Sequence, residues 1–236
     1  YSAISLILTM FHEFGHVLAV RAHDLPASMN VGHRLFLVVF ETDLTSAWKL
    51  APEQRNTLYL AGIYFDQLVM FIAFCLILLF PNNSLLIGLL SIVIFDLFIK
   101  LIYQCCFYMK TDLYYLFENV TGCYNLMENG KKYLHKWVPF IGKYSQTELF
   151  TNEKSIIRWY GLFYLVGVLL TSSLFLLYFI PQTIYAFGQT LPELLHPIDN
   201  PYFWDAVVFL GQIMVMIILL IFSWNKNRTI NKEELT

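Results

Sequence analysis

His12-Glu13-Phe14-Gly15-His16 places two imidazoles four residues apart with a carboxylate beside the first. On a helix that spacing is one turn, so both rings project from the same face. Neutral imidazole is a good zinc ligand, and the intervening Glu can accept a proton from a water during metal-assisted hydrolysis. The chemistry expected of these residues is therefore zinc-dependent peptide hydrolysis, with His12 and His16 as metal ligands and Glu13 as general base. The neighbours are unusual for such a motif. Ile4, Leu6, Ile7, Leu8, Met10 and Phe11 precede it, and Val17, Leu18 and Val20 follow it. Three ionisable side chains in one turn of a membrane helix are expensive unless they bind or react.

The composition agrees with a membrane setting. Hydrophobic residues make up 58% of the chain and charged ones 14%, against about 25% charged in soluble domains. Mean hydropathy is +0.58. A net charge of −2 gives no basic footprint for nucleic acid. Cys75, Cys105, Cys106 and Cys123 show no Cys-x-x-Cys spacing and read as reduced thiols rather than a disulfide framework or a zinc knuckle. The chain begins at Tyr1 without Met or a basic n-region, as expected of a chain that starts inside a span or lacks a few native residues.

The elements that must carry the motif are five apolar spans: Tyr1–Val20, Thr57–Phe80, Ser84–Tyr108, Ile156–Ile180 and Phe203–Trp224. Each approaches or exceeds the ~20 residues that a hydrocarbon core requires. Pro81-Asn82-Asn83 should stop the second span and Pro181 the fourth, leaving Pro181–Pro201 as a loop in which His196 is unliganded. The expected fold is an all-α polytopic membrane protein with a short membrane-level strand. Three regions follow: a core over 1–126, an interfacial amphipathic segment over 127–155, and two further spans with a tail over 156–236.

Charge sets an expected orientation. Arg21, Arg34, Lys49 and Arg55 follow the first span. Lys110, Lys131, Lys132, Lys136, Lys143 and Lys154 follow the third, and Lys226, Arg228 and Lys232 follow the fifth. With five spans these 13 share one side, and the opposite connections hold none. The positive-inside rule makes the basic side cytoplasmic. His16 then lies about 7 Å and His12 about 13 Å below Arg21, within reach of cytoplasmic water.

A catalytic zinc needs a third protein ligand and one open position. Metzincin spacing fails, because Ala22 and Ala19 stand where a histidine and a glycine are required. His23 and His33 are available from a loop. The better candidate is Asp112, in Met109-Lys110-Thr111-Asp112-Leu113-Tyr114-Tyr115, at the end of the third span that can meet the His12/His16 turn. From Ser84 to Phe117 the chain stays apolar for 34 residues, about 51 Å as a helix, too long for one perpendicular crossing of a ~30 Å core. A tilt, a turn into the interface or a break is required. A break near Lys110-Thr111-Asp112 would turn Asp112 toward the histidines.

On His12, Glu13, His16 and Asp112 the chain resembles the site-2 protease family of intramembrane zinc metalloproteases, in its divergent bacterial branch associated with peptide maturation and export. That family's third ligand is an Asp beside a glycine; here Leu113 replaces the glycine. The family's Gly-Pro-x-x-Asn signature is partly matched by Gly62-Ile63-Tyr64-Phe65-Asp66, with Ile63 for the proline and Asp66 for the asparagine. The resemblance covers roughly Ser5 to Leu126. It implies a zinc cofactor, a membrane-inserted or membrane-delivered peptide substrate, and roles near substrate for Gly62 and Asp66. For Asp66 a buried polar bond to a neighbouring helix is the other reading.

Leu35–Phe40, within Val31–Thr42, is too short to span and suits a strand. Such a strand, through Val38 and Val39, either plugs the site or pairs with an extended substrate. Asp96 and Lys100, spaced i, i+4, read as an interior ion pair rather than a proton pathway. Asn129–Tyr144 mixes lysines with Tyr133, Trp137 and Phe140, as an interfacial segment on anionic lipid would. The rich use of Ile, Phe, Tyr, Asn and Lys fits a low-GC bacterium and its plasma membrane. Two other functional classes stay open: a non-proteolytic component of peptide export or immunity that keeps the metal site, and a metal transporter.

Overall fold

The computed structural model describes residues 1–34, 37–135 and 154–233, with side chains described except at 33, 34, 37 and 224–233. Lys136, Trp137, Phe140, Lys143 and Tyr144 of the expected interfacial segment lie outside the described residues. The elements are α1 (Ser2–Arg21), β1 (Met29–Arg34), β2 (Leu37–Thr42), α2 (Pro52–Leu79), α3 (Ser84–Gln104), α4 (Asp112–Thr121), α5 (Leu126–His135), α6 (Lys154–Leu174), α7 (Ile180–Glu193) and α8 (Pro201–Glu233). Among the described residues, five helical stretches are long and apolar enough to cross a membrane: α1, α2, α3, the run Lys154–Glu193, and Pro201–Ser223. The protein is an all-α multi-pass membrane protein with a small two-stranded sheet.

The chain forms two compact units, Tyr1–Asn30 with Phe40–Leu165, and Val31–Val39 with Val166–Thr236. The first unit packs α1 on α2 and α3, and α2 on α3 and α4. Helix α1 buries Leu8, His12, His16 and Val20, a strict i, i+4 stripe, together with Glu13 and Gly15. Ile7, Phe11, Phe14 and Leu18 stay exposed on its other face, as a lipid-facing surface requires. Gly15 permits the close approach of α2: a Cβ there would lie 2.9 Å from the Ala61 carbonyl oxygen and 2.8 Å from Phe65.

The first compact unit extends to Leu165. Tyr114, Cys123, Leu126, Met127, Ile157 and Tyr160 form one buried cluster, so α4, α5 and the start of α6 share a core. Glu118 ties this core together, accepting from the Tyr114 hydroxyl at 2.5 Å and from Leu126 N–H, at the start of α5, at 2.7 Å. Asn119 Nδ2 anchors α4 to the start of α2, donating to Pro52 O at 2.7 Å and Asn56 Oδ1 at 2.6 Å. Asp96 and Lys100 form the expected ion pair at 2.9 Å, and Lys100 Nζ also donates to Ser5 O on α1 at 3.0 Å.

The break near Asp112 is found, and two expectations change. The 34-residue apolar run is broken: α3 ends at Gln104, a 3-10 turn occupies Phe107–Met109, Lys110 takes a left-handed conformation (φ 54°), and α4 begins at Asp112. The single strand Leu35–Phe40 is replaced by a β1–β2 hairpin, with Leu35 and Phe36 outside the described residues. β1 reads Met29-Asn30-Val31-Gly32-His33-Arg34, and its Asn and Gly are poor strand formers, so composition marked β2 without revealing its partner.

In the second unit, Pro181 does not end the helix. Phe175–Phe179 forms a π-helical turn in which Ile180 N–H reaches back to Phe175 O, and the chain continues as α7 to Glu193. Pro181 has no N–H to give and its ring would clash with a preceding carbonyl in a regular helix. The widened turn directly ahead of it relieves both conflicts. The expected loop is therefore helical over its first two thirds. Helix α7 packs on α8, with Phe187 edge-on to Phe209 at 5.7 Å.

Candidate metal centre

Helix α1 presents His12 and His16 one turn apart, with ring centroids 5.1 Å apart in an edge-to-face arrangement. Both Nδ1 atoms are committed. His12 Nδ1 donates to Asp66 Oδ2 at 2.7 Å, and His16 Nδ1 donates to the Leu58 carbonyl at 2.9 Å. Both acceptors belong to α2, the helix against which α1 packs. Such bonds fix the tautomer: with the proton on Nδ1, the Nε2 lone pair is left for a cation.

The break after α3 brings Asp112 to those lone pairs. Asp112 Oδ2 lies 2.9 Å from His12 Nε2 and 3.3 Å from His16 Nε2. Among the described residues, His12, His16 and Asp112 form a group whose ligand atoms all lie within 4.8 Å of one another. His12 and His16 are buried; Asp112 is partly exposed. Burial alone would raise the Asp112 carboxyl, but the facing imidazoles, when protonated, overcome it and hold the group well below the usual carboxylate range.

The residues fit a metal ion on three grounds. His16 Nε2 is buried without a hydrogen-bond partner. Lone pairs from two imidazoles and a carboxylate oxygen face one another, an arrangement that repels unless a cation or proton lies between them. Gly62 leaves the space open: a Cβ there would sit 2.5 Å from both Nε2 atoms.

Glu13 is buried one residue from His12, and its Oε2 accepts from Thr42 Oγ1, at the end of β2, at 2.7 Å. Thr42 also donates to the Glu13 carbonyl at 3.3 Å. Gln104 brackets Asp112: its Nε2 donates to Asp112 Oδ2 at 2.9 Å and its Oε1 accepts from Asp112 N–H at 3.1 Å.

The expected ligands His12, His16 and Asp112 are thus brought together with Glu13. Gly62 lines the space before the two Nε2 atoms. Asp66 is bonded to His12 through Oδ2, so both readings of it meet: it is a buried polar group bonded to a neighbouring helix, and it lies beside the metal group. Val38 and Val39 lie half-buried in β2. His23 is in the turn after α1 and outside the group, and the His33 side chain lies outside the described residues. Thr42, Gln104 and the Leu58 carbonyl were not foreseen. Gln104 alone left a signal, as an amide near the end of a mostly apolar span.

These features define a class: a polytopic helical membrane protein with a His-His-Asp group, its histidines buried, and an adjacent buried glutamate. No protein-family model matches the chain, and no curated protein or solved structure is significantly similar to it. Residues and geometry alone therefore carry the functional argument.

Proposed function

We propose that this protein is a zinc-dependent intramembrane endopeptidase of the site-2 protease type. The observation that carries the reading is the convergence of His12 Nε2, His16 Nε2 and Asp112 Oδ2 on the space before Gly62, with Glu13 buried in the same helical turn. His12, His16 and Asp112 would hold zinc, and Asp66 and the Leu58 carbonyl would keep the two imidazoles in the liganding tautomer. Zinc, when bound, supplies Lewis acidity to water and to the scissile carbonyl.

The remaining work falls to the chain. Glu13 accepts a proton from the attacking water as its oxygen bonds to the carbonyl carbon. It then delivers that proton to the amide nitrogen as the C–N bond breaks, giving a carboxylate and an amine. Thr42 occupies Oε2, so Oε1 is the oxygen that faces this task. Burial of the site keeps bulk water from competing for Glu13. The substrate would be a membrane-inserted or membrane-delivered precursor peptide. Val38 and Val39 of β2 would offer backbone for pairing with an extended peptide. The charge asymmetry supports a site opening to the cytoplasmic side of a bacterial plasma membrane.

The test is Glu13→Gln. Zinc content should persist, because Glu13 is not a ligand, while cleavage of a membrane-embedded precursor falls by about 10²–10⁴-fold. A chelator should abolish cleavage by the native protein. If native protein and Glu13→Gln sustain the same biological output, proteolysis is not the function, and a non-catalytic export or immunity role replaces it.

A further inference from the structure

We infer that Gln104 is a positioning residue that selects which oxygen of Asp112 meets the metal and keeps that ligand monodentate. The inference rests on the metal reading above and deepens it. Three hydrogen bonds join residue 104 to residues 111 and 112 across the break. Thr111 Oγ1 donates to Gln104 O at 2.7 Å, Asp112 N–H donates to Gln104 Oε1 at 3.1 Å, and Gln104 Nε2 donates to Asp112 Oδ2 at 2.9 Å. Gln104 and Thr111 are both buried.

The amide does two opposite jobs at once. The first N–H of a helix has no intrahelical acceptor, and here Gln104 Oε1 supplies it to α4. That bond also fixes the amide's orientation, because an N–H of Asp112 can only face the oxygen. The NH₂ end is then turned to the carboxylate. Glu lacks the donor, Lys lacks the acceptor, and Met lacks both. Thr111, the residue before α4, spends its hydroxyl on Gln104 O instead of capping the helix.

The consequence lies at Oδ2, the oxygen that faces both Nε2 atoms. One of its lone pairs receives Gln104 Nε2, so a single lone pair is left for a metal. The carboxylate is held against the rotation that would present both oxygens. Monodentate ligation by Asp112 preserves the open position that a hydrolytic zinc needs. Without the amide the carboxylate can rotate, and the two histidines lose a correctly placed third ligand.

The test uses the full-length protein in detergent micelles. Zinc affinity is measured by competition with a chromophoric chelator, and the cobalt(II)-loaded protein by its visible absorption. Gln104→Glu keeps length and the acceptor for Asp112 N–H but sets an oxygen against Oδ2. Gln104→Met keeps size without charge and serves if the first variant fails to fold. Thr111→Val removes the backbone latch and leaves the amide. Both Gln104 variants should weaken zinc about 10–100-fold and shift the cobalt bands, whereas Thr111→Val should stay within about threefold of wild type. Unchanged affinity and an unchanged cobalt spectrum in a folded Gln104 variant overturn the inference. So does an equal loss in Thr111→Val, which would make the effect one of junction stability. A native protein that binds neither metal overturns the metal reading itself, and this role with it.

Discussion

Gly62 faces His12 so closely that a Cβ on the glycine would lie 2.5 Å from His12 Nε2, and at the same distance from His16 Nε2. Zinc–nitrogen bonds are about 2.0–2.1 Å, so a methyl group at residue 62 would compete for the space of a shared ion. The imidazoles cannot swing aside without breaking their bonds to Asp66 and the Leu58 carbonyl.

Gly62→Ala should therefore lose the metal while α2 remains helical, since Ala is the better helix former. Elemental analysis should find one zinc per chain in the native protein and little in Gly62→Ala, His12→Ala or Asp112→Ala. Full occupancy in Gly62→Ala would place the metal elsewhere. Full occupancy in Asp112→Ala would remove Asp112 from the ligand set.

Asp66→Asn retains an acceptor for His12 Nδ1–H and removes the negative charge. Zinc affinity should fall about 10–100-fold, with activity recovering as zinc is raised. Asp66→Leu, which leaves Nδ1–H unpaired, should lose more. Competition titration against a chelator measures both; equal affinity in all three proteins would reduce Asp66 to a packing residue.

Thr42→Val keeps the shape of the side chain and releases Glu13 Oε2. Loss of an orienting bond to the base should lower the turnover rate by roughly tenfold or more, with zinc content unchanged. Steady-state kinetics on a membrane-embedded precursor, paired with elemental analysis, separates this from metal loss. Unaltered turnover would mean that the end of β2 does not orient the base.

Lys110 Nζ and Glu128 Oε1 meet at 2.7 Å between the break and α5. Burial would raise the Glu128 carboxyl, but the Lys110 ammonium outweighs it and holds the group below its ordinary 4.5. Folded Glu128 therefore binds its proton more weakly than the unfolded chain does. The stability it contributes is complete above about pH 4.5 and is lost as pH falls through the lowered value. Both side chains are about a third or more exposed, so the increment is at most ~1 kcal/mol. Thermal melts from pH 7 downward should show Glu128→Gln less stable than wild type by a margin that shrinks as pH falls below about 4.5. A margin that does not shrink as the medium is acidified through the carboxylate range would assign the effect to packing.

Cysteine-accessibility labelling tests the orientation. A cysteine replacing Lys143 and another replacing Lys232 should react from the cytoplasmic side, and one replacing Glu193 from outside. The helical run Lys154–Glu193 is 40 residues long, about 60 Å, twice a hydrocarbon core. Its far end can therefore clear the membrane although it is not a loop. Labelling of the Lys143 and Glu193 positions from one side would sink the five-span topology.

The sequence by itself determined what local periodicity controls. Four-residue spacing put His12 and His16 on one face of α1 because an α-helix has 3.6 residues per turn. Hydropathy marked five spans because a single segment crossing lipid must satisfy its own backbone, which a long apolar helix does. The length of the apolar run through Asp112 showed that a perpendicular helix could not be continuous there. Tertiary structure decided the rest. Asp66 is 54 residues from His12 and Asp112 is 100, and no periodicity specifies which oxygen meets which nitrogen across such intervals. Thr42, Gln104 and the Leu58 carbonyl became partners only when β2, the α3–α4 junction and α2 closed around α1. Pro181 broke the local rule because a π-turn ahead of it removed the clash on which the rule depends. Zinc-ligand spacing was a property of one helix; the environment that makes those nitrogens ligands came from other segments of the chain.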